Sequence, residues 1–219
     1  MEKNYNIDYE NIYKGRLVEL GMIASFDYLH DPKHLLFMMS RYKFVSKMLQ
    51  GFHDVLEVGC GDGFASAMIK KEVVNLDAVD IDSQFINNAR SNPYSNEINF
   101  KIKNVITEKS EKKYNAIYSL DVLEHIDIEE EDDFMKFISN SLIDDGVSII
   151  GIPSKESQVY ASNLSKKGHI NCKTGLELKV CMSKYFKTVF IFSMNDEVVH
   201  TGFNPMAHYL FALCINPKN

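Results

Sequence analysis

The chain has 219 residues, 45% of them apolar and 25% charged, and a formal net charge of −6. That length fits one domain, or one domain with a small appendage, and the composition is that of an ordinary globular protein rather than a disordered or fibrous one. An acidic chain without a clustered Lys/Arg segment argues against nucleic acid as a partner and against docking on an anionic membrane surface.

In chain order, the opening 15 residues lack the apolar stretch of a signal peptide. No run approaches the roughly 18 apolar residues of a membrane span. The expected location is therefore the cytoplasm. Residues 8–51 read as helical: 34–49 carry a broad apolar face interspersed with Arg41, Lys43 and Lys47, and Gly51 ends the helix. From there strands and helices alternate. Strands are predicted at 55–59, 73–81, 98–105, 114–122 and 147–153, and helices at 64–71, 83–91 and from Asp127 through the acidic run 129–133 to a turn at 144–146. A helix at 174–186 and strands at 187–194 and 208–215 complete the pattern.

This alternation predicts an α/β fold, a mostly parallel seven-stranded sheet covered by helices on both faces. The last two strands are too close in sequence for a full intervening helix, so they should form an antiparallel pair near the sheet's end. Residues 1–51 are expected to form a helical amino-terminal segment, and 52–219 the α/β domain. Cys60, Cys172, Cys181 and Cys214 form no C-x-x-C pair, so reduced thiols are expected, with neither a disulfide framework nor a zinc site.

The sharpest motif is V-L-E-V-G-C-G-D-G at 55–63. A predicted strand runs into Gly59-x-Gly61-x-Gly63 and a helix follows. Such glycines permit a tight turn and close approach of a ligand at a helix N-terminus, beyond the carboxyl end of a strand. The dinucleotide fingerprint G-x-G-x-x-G fails because Phe64 holds the third glycine position. Asp80 ends the second strand, where a carboxylate can accept both ribose hydroxyls. The fourth strand runs into S-L-D-V-L-E-H-I at 119–126, and the fifth ends G-I-P-S at 151–154.

Together, from about Val55 to Ser154, these motifs resemble the class I S-adenosylmethionine-dependent methyltransferases, in particular the small-molecule O- and N-methyltransferases with a D-V-L-E-H-I motif. The resemblance implies a Rossmann-like fold and S-adenosylmethionine as cofactor, leaving S-adenosylhomocysteine as product. It implies that Glu57, Gly59, Cys60, Gly61 and Gly63 form the methionine end of the pocket. Asp80 would hold the ribose, with Ile81 packed on the adenine. Asn104 stands where the family usually has an acidic residue near the adenine amino group, followed by Val105. Leu120 and Asp121 close the pocket, and the amino-terminal helices form a lid from which Arg41 could pair with the methionine carboxylate.

Methyl transfer is an in-line displacement that needs alignment and, for a hydroxyl acceptor, a proton acceptor; the sulfonium is already activated, so no metal is expected. His125, beyond the fourth strand, is a candidate general base or acceptor contact, or else a turn cap. His169 and His200 are further catalytic candidates, on polar loops beside the pocket. Tyr13, Tyr28, Tyr160 and Asn195 are candidate acceptor contacts, although Asn195, Asp196 and Glu197 also suit a solvated hairpin turn. His30 and His34 share a helix face but lack a third ligand.

The expected function is methylation of a small polar molecule, at oxygen in preference to nitrogen, with a sugar, nucleotide-linked or phosphorylated intermediate of surface-polysaccharide synthesis suggested by the polar tail. Ser119, Leu120, Asp121 and Val122 stand where DNA amino-methyltransferases carry Asn/Asp-Pro-Pro-aromatic, which disfavours DNA as acceptor. The alternatives are an N-methyltransferase of a small metabolite, a nicotinamide-dependent oxidoreductase, disfavoured by Phe64, and a non-catalytic methyltransferase-like subunit. A monomer or a homodimer formed through the amino-terminal helices fits equally.

Overall fold

The structure is a computed structural model that describes residues 18–92 and 96–218. Helices α1 (Met22–His30) and α2 (Pro32–Met48) precede the sheet. Asp31 separates them. Its carboxylate accepts the Lys33 amide at 3.2 Å, and Pro32 takes the first helical position, where its missing N–H costs nothing.

The alternation follows as expected: β1 (Asp54–Val58), α3 (Ser66–Lys70), β2 (Asn75–Asp80), α4 (Ser83–Ser91), β3 (Ile98–Ile102), β4 (Tyr114–Leu120), α5 (Glu131–Asn140) and β5 (Leu142–Pro153). After them come α6 (Asn163–Gly168), α7 (Gly175–Ser183), β6 (Phe186–Asn195), β7 (Val198–His200) and β8 (Tyr209–Pro217). The sheet order is β3-β2-β1-β4-β5-β8-β6-β7. The first five strands are parallel neighbours, and β8 runs antiparallel between β5 and β6.

Two details differ from the sequence expectation. The sheet gains an eighth strand, because Asn195–Glu197 is a hairpin turn whose far arm, β7, pairs Val198 with Asn195 and His200 with Ser193. Asp196 has φ 49° there, a conformation Asp tolerates better than most residues. The turn expected at 144–146 instead lies inside β5, where the register with β4 steps from Tyr114–Leu142 to Ala116–Val147 and exposes Asp144 and Asp145.

Alternation along the strands builds two core layers. Leu56, Val58 and Ile117 point to the face covered by α5 and α7, through Phe134, Met135, Leu178 and Met182. Val55, Ala116 and Tyr118 point to the opposite face, covered by α2, α3 and α4 through Tyr42, Val45, Ile69 and Ile86. Helix α2 is therefore shared between the core and the roof of the cavity described below. Among the described residues no helix is long and apolar enough to cross a membrane.

Two carboxylates fasten the amino-terminal helices to the strand ends. Asp62, in the glycine turn, accepts the Ile23 and Ala24 amides at 2.8 and 3.0 Å through Oδ2, and the Phe64 amide at 3.1 Å through Oδ1. Gly21, the residue before α1, has no side chain to cap it, so the cap comes from across the chain. Glu57, fully buried on β1, accepts the Tyr42 hydroxyl of α2 at 2.7 Å. The Ser66 and Tyr118 hydroxyls face the same carboxyl group without completing a well-formed bond. Burial outweighs the pull of all three hydroxyls and pushes Glu57 up to about 7.

Both contacts are measurable. Asp62→Ala should cost about 1–2 kcal/mol and speed hydrogen exchange selectively at the first amides of α1; unchanged exchange there would show that another group caps the helix. Glu57 keeps its proton in the folded chain up to about pH 7 but loses it near 4.5 when unfolded. The unfolded state therefore binds fewer protons between those values, and stability must fall as pH rises through that window. Glu57→Gln, neutral throughout, should match wild type below about pH 4.5 and exceed it above pH 7 by up to about 3 kcal/mol in denaturant titrations.

Candidate active site

The strand order reverses direction at β1, whose neighbours are β2 on one side and β4 on the other. At such a switch point the following loops diverge and leave a crevice at the carboxyl ends of the strands. A cavity of about 420 Å³ lies there, within the range of small-molecule pockets.

The glycine turn forms one wall. Gly59, Gly61 and Gly63 all have positive φ, at 81°, 52° and 70°. A Cβ on Gly59 would fall 2.1 Å from Val122 Cγ2, and one on Gly63 would fall 2.5 Å from the Phe100 ring. Glycine is thus required for conformation and for space. The Gly59 and Cys60 amides bond to the Val79 carbonyl at 2.8 and 3.1 Å. Asp80 Oδ2 accepts the Gly61 amide and Oδ1 the Asp82 amide, each at 2.9 Å. Asp80 therefore holds the turn while its remaining lone pairs stay available at the cavity wall.

Most of the residues expected at a cofactor pocket line this one cavity: Gly59, Cys60, Gly61, Asp80, Ile81, Asn104, Val105, Leu120 and Asp121. Ile81 projects from the wall, 66% exposed, as a residue waiting to cover a flat ring would. Asn104 Oδ1 accepts the Ile106 amide at 3.0 Å and so shapes its own turn. Burial pushes the Cys60 thiol far up, which makes it an apolar wall group. Gly63 and Glu57 stand behind the wall. The first packs against Phe100 and the second holds α2.

Arg41 is placed differently from expectation. Its Nη1 donates to both Asp121 oxygens, at 2.8 and 2.7 Å, and its guanidinium stacks 4.2 Å from the centroid of the Tyr209 ring. A largely buried guanidinium needs a carboxylate, and the residue following β4 supplies one. Asp121 itself has φ 57°, in the left-handed region that Asp enters more readily than most residues.

His125 lies on a single 3₁₀ turn, Leu123–His125, and lines the cavity. His169 packs edge-on against it, ring centroids 5.2 Å apart. His125 Nδ1 bonds to the Gly168 carbonyl and His169 Nδ1 to Gln158 Oε1, each at 2.9 Å. Both Nδ1 atoms thus act as donors, which leaves both Nε2 lone pairs free. Burial, then the neighbouring His125, lowers the pKa of His169 and favours its neutral form.

Beside them Glu124 is fully buried, and neither of its carboxylate oxygens bonds to another residue. Burial, then Asp121, raises its pKa well above the carboxylate range. Ligand atoms of Glu124, His125 and His169 all lie within 4.8 Å of one another, a set able to hold a divalent cation although the sequence pointed to none. The segment carrying His169 is pinned by the Asn171 amide on the Glu124 carbonyl at 3.0 Å and by the buried Lys173–Glu131 ion pair.

The remaining candidates do not join this group. His200 Nε2 bonds to Asn195 Oδ1 at 2.8 Å, so both brace the β6–β7 hairpin. Tyr28 and Tyr160 are 55% and 89% exposed and do not line the cavity. Tyr13 lies outside the described residues. Wall residues that sequence reasoning missed include Ile23 and Met38 from the amino-terminal helices and Phe85 from α4; nothing in their local pattern separates them from ordinary apolar positions.

Comparison with known proteins agrees with this geometry. A family model described as a methyltransferase domain matches residues 25–185. The chain is 28% identical over 111 residues to a ubiquinone biosynthesis O-methyltransferase of Rickettsia bellii, covering 49% of this chain and 45% of that protein. It thus spans about half the length of the curated relatives it matches. The fold matches the methyltransferase domain of bacterial CtHen1-C with a TM-score of 0.68 at 16% identity, covering 83% of this chain and 100% of that one. It also matches the N-methyltransferase NodS from Bradyrhizobium japonicum WM9, solved with S-adenosylhomocysteine, with a TM-score of 0.65 at 14% identity over 87% of this chain and 91% of that one. The match over most of the chain, on a Rossmann-like sheet with its glycine turn at the switch point, places the protein in the methyltransferase-domain family, the class I enzymes that use S-adenosylmethionine.

Proposed function

We propose that this chain transfers the methyl group of S-adenosylmethionine to a hydroxyl oxygen of a small molecule. The observation that carries the reading is one cavity lined by both Asp80, at the glycine turn, and His125. In this reading the adenosine lies along Asp80, Ile81 and Asn104, and the methionine end runs over Gly59 and Gly61 toward Leu120. The methyl group then points at the space before His125 and His169. An acceptor hydroxyl there meets an imidazole nitrogen with a free lone pair, which can take the proton as the oxygen attacks the methyl carbon and the sulfur leaves.

A divalent cation on Glu124, His125 and His169 would do the same work differently, by lowering the acceptor hydroxyl's pKa and fixing its oxygen. Each imidazole already donates its other nitrogen to a carbonyl oxygen, the arrangement that orients histidine ligands. The donor set therefore fits a cation. The name of the Rickettsia relatives supports oxygen as the acceptor atom. The polysaccharide intermediate suggested by the polar tail loses its motive, because Asn195 and His200 bond to each other away from the cavity.

Thermal unfolding with S-adenosylmethionine, S-adenosylhomocysteine and, as control, NAD is the first test. Ligand at 100 times its dissociation constant adds about 2.7 kcal/mol, which for a chain of this size raises Tm by roughly 5–10 °C. The shift should occur with the two methionine cofactors only and shrink in Asp80→Ala. No shift with either would overturn the assignment. In an acceptor screen His125→Ala should lower kcat about 10²–10⁴-fold with the cofactor's Kd unchanged, whereas His200→Ala should leave both intact.

A further inference from the structure

Arg41 sits closer to the proposed chemistry than a lid residue needs to. We infer that Arg41 is the resting counter-ion of the cation site, displaced in effect when a divalent cation arrives, so that cation binding and release of the amino-terminal helices are coupled. This rests on the reading of Glu124, His125 and His169 as a cation site.

Three observations support it. First, Asp121 lies close enough to Glu124 for its charge, added to burial, to hold the proton on the Glu124 carboxyl group, and Arg41 is the cation that opposes that hold. Second, Arg41 satisfies only Asp121. Glu124 stays fully buried with neither oxygen bonded to another residue, and Arg41 Nε is itself buried without a partner. A buried, unpartnered carboxyl group beside two imidazole lone pairs is half of an ion site, its unmet hydrogen-bonding capacity a cost that a bound cation would remove. Third, the guanidinium is anchored by the ring of Tyr209 on β8, at 4.2 Å, so its charge stays within reach of His169 as well.

The electrostatics then run one way. A fixed guanidinium beside a cation site repels the entering ion and competes for the shared negative charge. When a divalent ion binds Glu124, it displaces the carboxyl proton to solvent, and its added positive charge weakens the field holding Arg41 to Asp121. Because Arg41 belongs to α2, whose Met38 and Tyr42 line the cavity, loss of that pair loosens the roof over the cofactor. The reciprocal also holds, since coupling between two sites is symmetric in binding free energy. Whatever frees Arg41 must tighten cation binding.

The test uses Mn²⁺ as probe. Its dissociation constant is measured by calorimetry and by electron paramagnetic resonance on wild type, Arg41→Met, Arg41→Lys and Glu124→Gln, and hydrogen exchange over 32–48 is followed with and without the ion. Arg41→Met should bind Mn²⁺ about tenfold more tightly than wild type and Arg41→Lys within about twofold of it, since Lys keeps the charge. Mn²⁺ should speed exchange in α2 of wild type and leave Arg41→Met, already loosened, unchanged.

Equal affinity in wild type and Arg41→Met, with binding lost in Glu124→Gln, would overturn the role of Arg41 and leave the cation site standing. No Mn²⁺ binding in either, or binding undiminished in Glu124→Gln, would overturn the cation site and this inference with it. Should Arg41→Met not fold, the wild-type exchange experiment decides. Unchanged exchange in α2 at saturating Mn²⁺ contradicts the coupling.

Discussion

Everything that lines the cavity is referenced to the turn after β1, and the turn is held by hydrogen bonds from its own amides. The Gly59 and Cys60 amides bind the Val79 carbonyl, and Gly61 donates to Asp80. These bonds need three residues at positive φ, and at Gly59 and Gly63 the neighbouring Val122 and Phe100 side chains leave no room for a Cβ, so glycine is required. The turn thereby clamps the ends of β1, β2 and β4 at fixed spacing. Asp62, from the same turn, caps α1 and so carries the roof along with the floor. A local backbone conformation sets the dimensions of a site assembled from segments far apart in sequence.

The other organising constraint is the handling of buried charge. Four acidic groups surround the site, three of them buried and Asp121 partly exposed, and each has a different solution. Glu57 holds its proton near neutrality and ties α2 to β1. Asp121 takes Arg41 as partner and accepts a left-handed backbone to do so. Glu131 pairs with Lys173 and, through Asn171, braces the segment bearing His169. Glu124 alone among these has no partner side chain. Three of the four secure elements that frame the cavity, whereas the fourth faces the histidines that the proposed reaction uses. A buried carboxyl group left without a partner is rare because its desolvation is costly, and such perturbed groups cluster at functional sites.

The division between floor and roof has a consequence for the substrate. The floor is made of strand ends and tight turns with little freedom to adapt, which suits an invariant cofactor. The roof, built from α1 and the first half of α2, rests on a few polar fastenings and on exposed apolar residues such as Phe26 and Leu29. Local stability is lowest where buried apolar contacts are few, so the roof is the part of the cavity wall with most freedom to move.

The sequence by itself determined the alternating architecture, the place of the glycine turn, the position of Asp80 at the end of the second strand and that of His125 beyond the fourth. Each is legible because it depends on neighbours a few residues away: strand periodicity, the steric freedom of glycine, the register of a carboxylate at a strand end. Only the tertiary structure decided which distant groups meet. Arg41 and Asp121, 80 positions apart, form an ion pair, and His169 reaches His125 across a segment pinned by a buried lysine that no pattern announces. His200 looked equivalent to His169 in composition and loop context, yet the β6–β7 hairpin claims it through Asn195. Local conformation is set by short-range sterics and hydrogen bonding, whereas the partner of a buried charge is chosen by whichever opposite group the packed sheet brings within reach.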